Sequence, residues 1–175
     1  MKQSINLGDS SKFVAWGTNG MKNCLDHCKL ILKKYRLTEF GSPSNMFLLL
    51  KENGNVLTYT TDNPNKLYQE AIECIDKHLE ANRPIIVGVN HTFGNTYNEG
   101  TTDHFVVIYG REFDGDYWNY MYYEVGKGNV IDGYNDQTNR FIYIEGEQPE
   151  FYDKSSEIRN HSRYDVIQVR PNMKF

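Results

Sequence analysis

The chain has 175 residues, of which 39% are hydrophobic, with 13 Tyr and 9 Phe. It is long enough to bury one core and too aromatic to be disordered, so we expect a single domain over residues 1–175. The net charge of −4 argues against nucleic acid or an anionic membrane as the main partner, because both bind basic patches.

The polar N-terminus, residues 1–11, lacks the apolar run of a secretory signal. No segment approaches the roughly 18 apolar residues that span a bilayer. The three cysteines, Cys24, Cys28 and Cys74, are too few and too uneven for a disulfide scaffold and favour a reducing compartment. We therefore expect a cytoplasmic protein, or a bacterial effector exported by a signal-less route.

Apolar residues recur at spacings of three and four over residues 21–35 and predict a first helix. A second short helix is expected over residues 44–51, followed by a strand over residues 56–60. Asn63 and Pro64 are typical of a helix start and predict a longer helix to about residue 81.

The rest of the chain reads as strands. The predicted strands cover residues 84–89, 105–109, 117–125, 141–144 and 166–169. Helices first and strands second predict an α+β domain in which N-terminal helices pack on a C-terminal antiparallel sheet.

Cys24 lies in the first turn of the first predicted helix, after a glycine-containing turn. The unpaired N–H groups and the positive dipole end of a helix start favour a thiolate there. The same N–H groups can hold an oxyanion, which makes Cys24 a candidate nucleophile. The simpler alternative is a packed, inert cysteine.

His104 is the first residue of a strongly apolar strand and follows the polar residues Thr101, Thr102 and Asp103. That position puts the imidazole at the end of a sheet, where a cleft can form. A surface histidine is the simpler alternative. A helix-start cysteine followed roughly 80 residues later by a strand-start histidine nevertheless favours a nucleophile and its base.

Residues 20–128 resemble the small bacterial papain-like cysteine peptidases related to the bacteriocin-leader-processing group. The resemblance depends on the helix-start Cys24, the apolar strand Pro84-Ile85-Ile86-Val87-Gly88-Val89 and above all the segment Asp103-His104-Phe105-Val106-Val107-Ile108-Tyr109-Gly110. It implies a papain-like fold, no cofactor and a peptidase or amidase activity.

The resemblance also implies two further site residues. In that family an Asp at the end of the next strand orients the histidine, and this chain has Glu124 at the matching position instead. The family places a glutamine about six residues before the cysteine as an oxyanion donor. This chain has Thr18 there, with Asn19 beside it, and Asn19 is the candidate oxyanion residue.

The expected hairpin around Asp114-Gly115-Asp116 also brings Glu124 to His104. We expect a hairpin register that puts the two side chains directly opposite each other, with Cβ atoms roughly 5 Å apart. A slip of one residue would turn Glu124 to the other face. Asp103 and Asn119 are then the reserve candidates.

His91 opens a polar loop that leads to His104, and we expect it to form a wall of the cleft. Tyr122, in a strand rich in tyrosine, is a second candidate for substrate binding, although cross-strand packing explains it as well. Cys24, His27 and Cys28 share one helix face and could bind zinc together with His91 or His104. No second pair of cysteines exists, so we expect no metal and no cofactor.

Together these residues predict hydrolysis of a peptide amide bond through a thioacyl intermediate. The expected substrate is a bacterial peptide, either a cell-wall (peptidoglycan) stem peptide or a leader or tag. Binding of an acidic stem peptide would need local basic residues such as Lys22 or Arg111. The alternative is a catalytically degenerate papain-like binding or immunity module, and an inhibitor or immunity protein is a possible partner of either.

Overall fold

The computed structural model describes residues 2–39, 46–91, 102–153 and 163–174. The helices are α1 (Cys24–Lys34) and α2 (Pro64–Glu80), with short 3-10 turns at Ser10–Lys12 and Thr18–Gly20 and a π-helical turn at Ile131–Asn135. The strands are β1 (Ile5–Asn6), β2 (Leu37–Glu39), β3 (Phe47–Leu48), β4 (Leu50–Asn53), β5 (Val56–Tyr59), β6 (Ile85–Asn90), β7 (His104–Phe113), β8 (Trp118–Tyr123), β9 (Arg140–Ile144), β10 (Glu150–Asp153), β11 (Asp165–Arg170) and β12 (Asn172–Lys174).

Six of these strands form a closed antiparallel barrel. They pair in the order β7-β6-β11-β10-β9-β8, and β8 pairs back with β7 to complete the ring. β1 adds to the barrel along β7 and β3 adds along β11, while β2 with β12 and β4 with β5 form two small separate ribbons. Closure pairs both edges of the sheet and so removes the exposed edges that an open sheet would have.

The barrel corrects the predicted fold class. The expectation of an α+β papain-like domain, with N-terminal helices packed on a C-terminal antiparallel sheet, is wrong, because the sheet closes on itself as a six-stranded barrel. Five of the six barrel strands lie close to where they were expected, and β10 was not predicted. Apolar runs also do not reveal that β8 returns to β7. The predicted helix over residues 44–51 is also wrong over its described part, since residues 47–53 are strands that pair with β11 and β5.

The two helices cover opposite faces of β7. Val106 and Ile108 belong to an apolar cluster that includes the buried face of α2. Phe105 and Val107, which alternate with them, belong to a second cluster that includes α1. This alternation follows from the two-residue period of a strand. Within the described residues, neither helix has the length and apolar character needed to cross a membrane.

Candidate active site

Cys24 is the first residue of α1 and is half-buried. Asn23 caps the helix: its side-chain oxygen accepts hydrogen bonds from the N–H groups of Leu25, at 2.8 Å, and Asp26, at 3.3 Å. The cap does not use the N–H of Cys24. The sulfur therefore lies where the helix presents its positive dipole end, as the sequence predicted.

The turn before α1 is fixed by a buried histidine of the helix itself. His27 is fully buried; its Nδ1 lies 2.7 Å from the carbonyl oxygen of Asn23, and its Nε2 accepts a hydrogen bond from the N–H of Gly17 at 3.0 Å. The ring of Trp16 stacks on the imidazole, with centroids 4.6 Å apart and planes 4° apart. Both nitrogens of His27 are thus used in holding the loop that leads to Cys24.

His104 lies beside Cys24, at the start of β7. The two side chains line the same cleft, and Cys24 is near enough to raise the pKa of the imidazole. Oε1 of Glu124 lies 2.6 Å from Nε2 of His104. Because Nε2 binds the carboxylate, Nδ1 is the ring nitrogen left for the sulfur. The structure thus brings Cys24, His104 and Glu124 together in one chain of contacts.

The pKa values of His104 and Glu124 move in opposite directions. Burial alone would lower the pKa of His104, but the charge of Glu124 and the hydrogen bonds with Cys24 and Glu124 outweigh it and raise the pKa to about 10. Burial alone would raise the pKa of Glu124, but the charge of His104 and the hydrogen bonds from His104, Gly126 and Tyr164 lower it to about 2. The pair is therefore an imidazolium and a carboxylate at neutral pH.

Cys24 and His104 open onto a cleft of about 520 Å³. The other residues that line it are Trp16, Lys22, Asn23, Asp103 and Phe105. A space of this size accommodates a few residues of a peptide.

Tyr164 is a residue of this site that the sequence analysis missed. Its hydroxyl donates a hydrogen bond to Glu124, and its ring centroid lies 5.7 Å from that of His104 and 5.3 Å from that of His91. The only feature of the sequence that points to Tyr164 as a site residue is its position just before β11. Many tyrosines occupy such positions, so this feature is not specific. The contact forms only because β11 and β7 both pair with β6 in the barrel.

His91 and Asp103 lie next to the catalytic candidates. The ring of His91 is 6.2 Å from that of His104, and its Nε2 is 3.7 Å from Oδ1 of Asp103, which also accepts a hydrogen bond from the N–H of His91. His91 is thus placed beside the cleft rather than among the residues that line it. Most of the loop that it opens, residues 92–101, lies outside the described residues.

The contact between His104 and Glu124 forms in a different register from the predicted one. Val107 opposes Tyr123. A bulge between Ile108 and Gly110 puts one extra residue into β7, so the pairing on its two sides differs by one residue. Extending the ladder past Tyr123 would put His104 opposite Gly126, so Glu124 is its diagonal neighbour on the same face. A diagonal pair lies within reach of long side chains, and the turn after β8 directs the carboxylate back to the imidazole.

Three other candidate residues lie away from the cleft. Asn19 is exposed in a turn where its φ is 55°, and it does not line the cleft. Tyr122 is fully buried, with its hydroxyl donating to Asp153, so it does not form a substrate-binding wall. Asn119 binds Asp114 at 2.8 Å, at the turn end of the hairpin. The structure therefore supports neither Asn19 as oxyanion donor nor Asn119 as a reserve partner of His104.

The zinc alternative fails on geometry, since both nitrogens of His27 bind the backbone. Over the ranges that the structure describes, no group of three or more His, Cys, Asp or Glu side chains is arranged to hold a metal ion. Cys28 is fully buried, and burial raises its pKa well above the usual range. Cys74 is half-buried, and burial raises its pKa to about 11. Both are inert at neutral pH.

No known protein family, curated protein or solved structure matches this chain. The geometry of the site is therefore what indicates a function for this protein.

Proposed function

We propose that this chain is a cysteine hydrolase, a peptidase or amidase, in which Cys24 is the nucleophile, His104 the acid and base, and Glu124 the residue that orients His104. The single observation that carries the proposal is the chain of contacts from Cys24 through His104 to Glu124 at a helix start. In such a triad the acid orients the base and the base activates the nucleophile. This arrangement recurs on unrelated folds. The proposal thus survives the correction of the fold class.

The chemistry follows from the positions of the three groups. The sulfur of Cys24 attacks the carbonyl carbon of the amide, and the C–N bond breaks as His104 gives its proton to the departing amine. The resulting thioester is hydrolysed by a water molecule whose proton passes to His104, which releases the acid and restores Cys24 and His104 to their starting states. Glu124 keeps the ring oriented and stabilises its positive charge throughout.

The negative oxygen that develops during attack needs a hydrogen-bond donor. The N–H of Cys24 is not used by the Asn23 cap and lies at the positive end of α1, which suits this role. Asn19, the candidate second donor, is outside the cleft. This difference favours a second candidate function, a binding or immunity module that retains the cleft but turns over little or no substrate.

The proposed substrate is a peptide, with bacterial cell-wall stem peptides and leader peptides or tags as the two classes to test. Lys22 is exposed at the cleft and can meet an acidic group of such a peptide. Arg111 has no such role, because it is buried and paired with Asp76 and Glu80. We place the protein in the cytoplasm or, by export without a signal, outside the cell that makes it.

Incubation with purified muropeptides and with a set of unstructured peptides, followed by mass spectrometry, tests the activity. New carboxyl and amine ends should form with the wild type, and Cys24→Ala and His104→Ala should each lower the rate at least about a thousandfold while remaining folded. Near-normal turnover by either variant would remove the assignment.

Iodoacetamide labelling separates the hydrolase from the binding module. Selective labelling of Cys24 near neutral pH supports the hydrolase. Slow labelling of Cys24 at the same rate as Cys74 supports the module.

A further inference from the structure

Trp16 is a large apolar side chain exposed at the cleft. It is 41% exposed and lines the same space as Cys24 and His104. Single exposed hydrophobic side chains are common on protein surfaces. This one is distinctive because it stands beside the candidate nucleophile and because its position is fixed.

Three contacts fix Trp16. One face of the indole stacks on the buried imidazole of His27 at 4.6 Å. The backbone N–H of Trp16 donates to the carbonyl oxygen of Lys127 at 2.9 Å, and that of the next residue, Gly17, donates to His27 at 3.0 Å. A ring that is already ordered loses little further freedom when a ligand binds. Little of the binding free energy gained from contact with it is therefore lost to conformational entropy.

The charge of the cleft narrows the class of ligand. An exposed indole can bind an aromatic ring, an aliphatic group or a cation. Lys22 and Asp103 bring opposite charges to the lining, and the charge of His104 is paired with Glu124. The cleft therefore has no excess of negative charge that would favour a cationic side chain over a neutral one. Among neutral groups, an aromatic ring gains stacking energy in addition to the burial of its area.

We propose that Trp16 is a specificity-determining residue whose indole binds an aromatic side chain of the peptide that reacts at Cys24. This inference rests on the proposed cysteine hydrolase and adds the side-chain preference of its substrate. It makes Trp16 a residue that contacts substrate and His27 a positioning residue behind it.

Two reagents test this preference without knowledge of the substrate: chloroacetyl-phenylalanine amide and chloroacetyl-alanine amide. In each, the Cys24 thiolate displaces chloride, a C–S bond forms and the C–Cl bond breaks. The two reagents share the same reacting group. The ratio of their second-order rate constants of inactivation, kinact/KI, therefore reports the effect of the side chain alone, and kinact and KI are measured separately for each reagent. We expect kinact/KI to be about tenfold higher for the phenylalanine reagent, mainly because its KI is lower.

The ratio should fall to about one in Trp16→Ala and in Trp16→Leu, the second of which keeps an apolar side chain and guards against misfolding. Phe113→Ala removes a comparably exposed aromatic residue, 50% exposed at the far end of β7, and should keep the wild-type ratio. A wild-type ratio near one, or a high ratio that survives in folded Trp16→Leu, would overturn the inference.

The same experiment separates the two proposals. If iodoacetamide labels Cys24 selectively while the wild-type ratio is near one, the hydrolase stands and the aromatic preference is wrong. If Cys24 reacts with iodoacetamide and with both chloroacetyl reagents no faster than Cys74 does, the hydrolase proposal fails and the inference fails with it.

Discussion

Glu124 and His104 form a buried ion pair across one end of the β7–β8 hairpin, with Oε1 2.6 Å from Nε2 and side chains that are 2% and 12% exposed. The N–H of Gly126 and the hydroxyl of Tyr164 also donate to the carboxylate, so Glu124 is held by donors on three sides. Removal of one partner of such a pair leaves the other buried without compensation. The state of His104 therefore depends directly on Glu124.

The substitution Glu124→Gln should lower the pKa of His104. Without the carboxylate charge, burial remains as the main influence and favours the neutral imidazole. We expect His104 to stay protonated in the wild type until the pH approaches about 10, and to be largely neutral at pH 7 in the variant. Histidine NMR titration measures this, and Glu112→Gln, which alters an exposed carboxylate paired with Arg140, should leave His104 unchanged. An unaltered titration in Glu124→Gln would contradict the coupling.

The same pair should give stability a defined pH window. The pKa of His104 is raised from 6.5, so its contribution is complete below about 6.5 and is lost as the pH rises through about 10. The pKa of Glu124 is lowered from 4.5, so its contribution is complete above about 4.5 and is lost as the pH falls towards about 2. The free energy of unfolding of the wild type minus that of Glu124→Gln should therefore be largest between about pH 4.5 and 6.5. Urea denaturation at several pH values measures it, and a flat difference would show that the pair is not ionised.

The sequence predicted the positions of Cys24 and His104 from local signals. A capped amphipathic helix and an apolar strand after a polar loop are both encoded within a few residues. Barrel closure and the contact of Tyr164 with Glu124 arise from pairings between distant strands, which periodicity does not encode. The predicted register of the hairpin was wrong because a pairing centred on residues 114–116 puts Gly126, not Glu124, opposite His104. The ladder beyond the bulge between Ile108 and Gly110 follows that pairing.

Arg111 should contribute to stability rather than to substrate binding. It is 2% exposed, and its guanidinium lies 2.9 Å from Asp76 and 3.2 Å from Glu80. Arg111→Leu should lower the free energy of unfolding by about 2–3 kcal/mol, because it removes the buried cation that Asp76 and Glu80 share, while Lys2 remains 2.7 Å from Asp76. Arg140→Leu removes a more exposed arginine paired with Glu112 and should cost less than about 1 kcal/mol. Equal losses in denaturant titrations would show that burial of Arg111 does not matter.

His27 and His78 have the same bonding pattern in different places. Each ring bonds the carbonyl oxygen of the residue four positions earlier and a backbone N–H from another part of the chain. These partners are Asn23 and Gly17 for His27. They are Cys74 and Asn172 for His78. His78 is 6% exposed, and burial lowers its pKa. Both rings therefore act as neutral bridges, with Nδ1–H as donor and Nε2 as acceptor.

The matched pair gives the sharpest test of how the nucleophile is positioned. His27→Ala and His78→Ala should each lower the free energy of unfolding by about 2–4 kcal/mol, since each removes two hydrogen bonds and leaves a cavity. Only His27→Ala frees the turn that carries Trp16 to the start of α1, so only this variant should slow alkylation of Cys24, by about tenfold or more. Rates of iodoacetamide labelling under conditions where both variants are folded measure the difference. Equal rates in the two variants would show that His27 stabilises the fold without positioning Cys24.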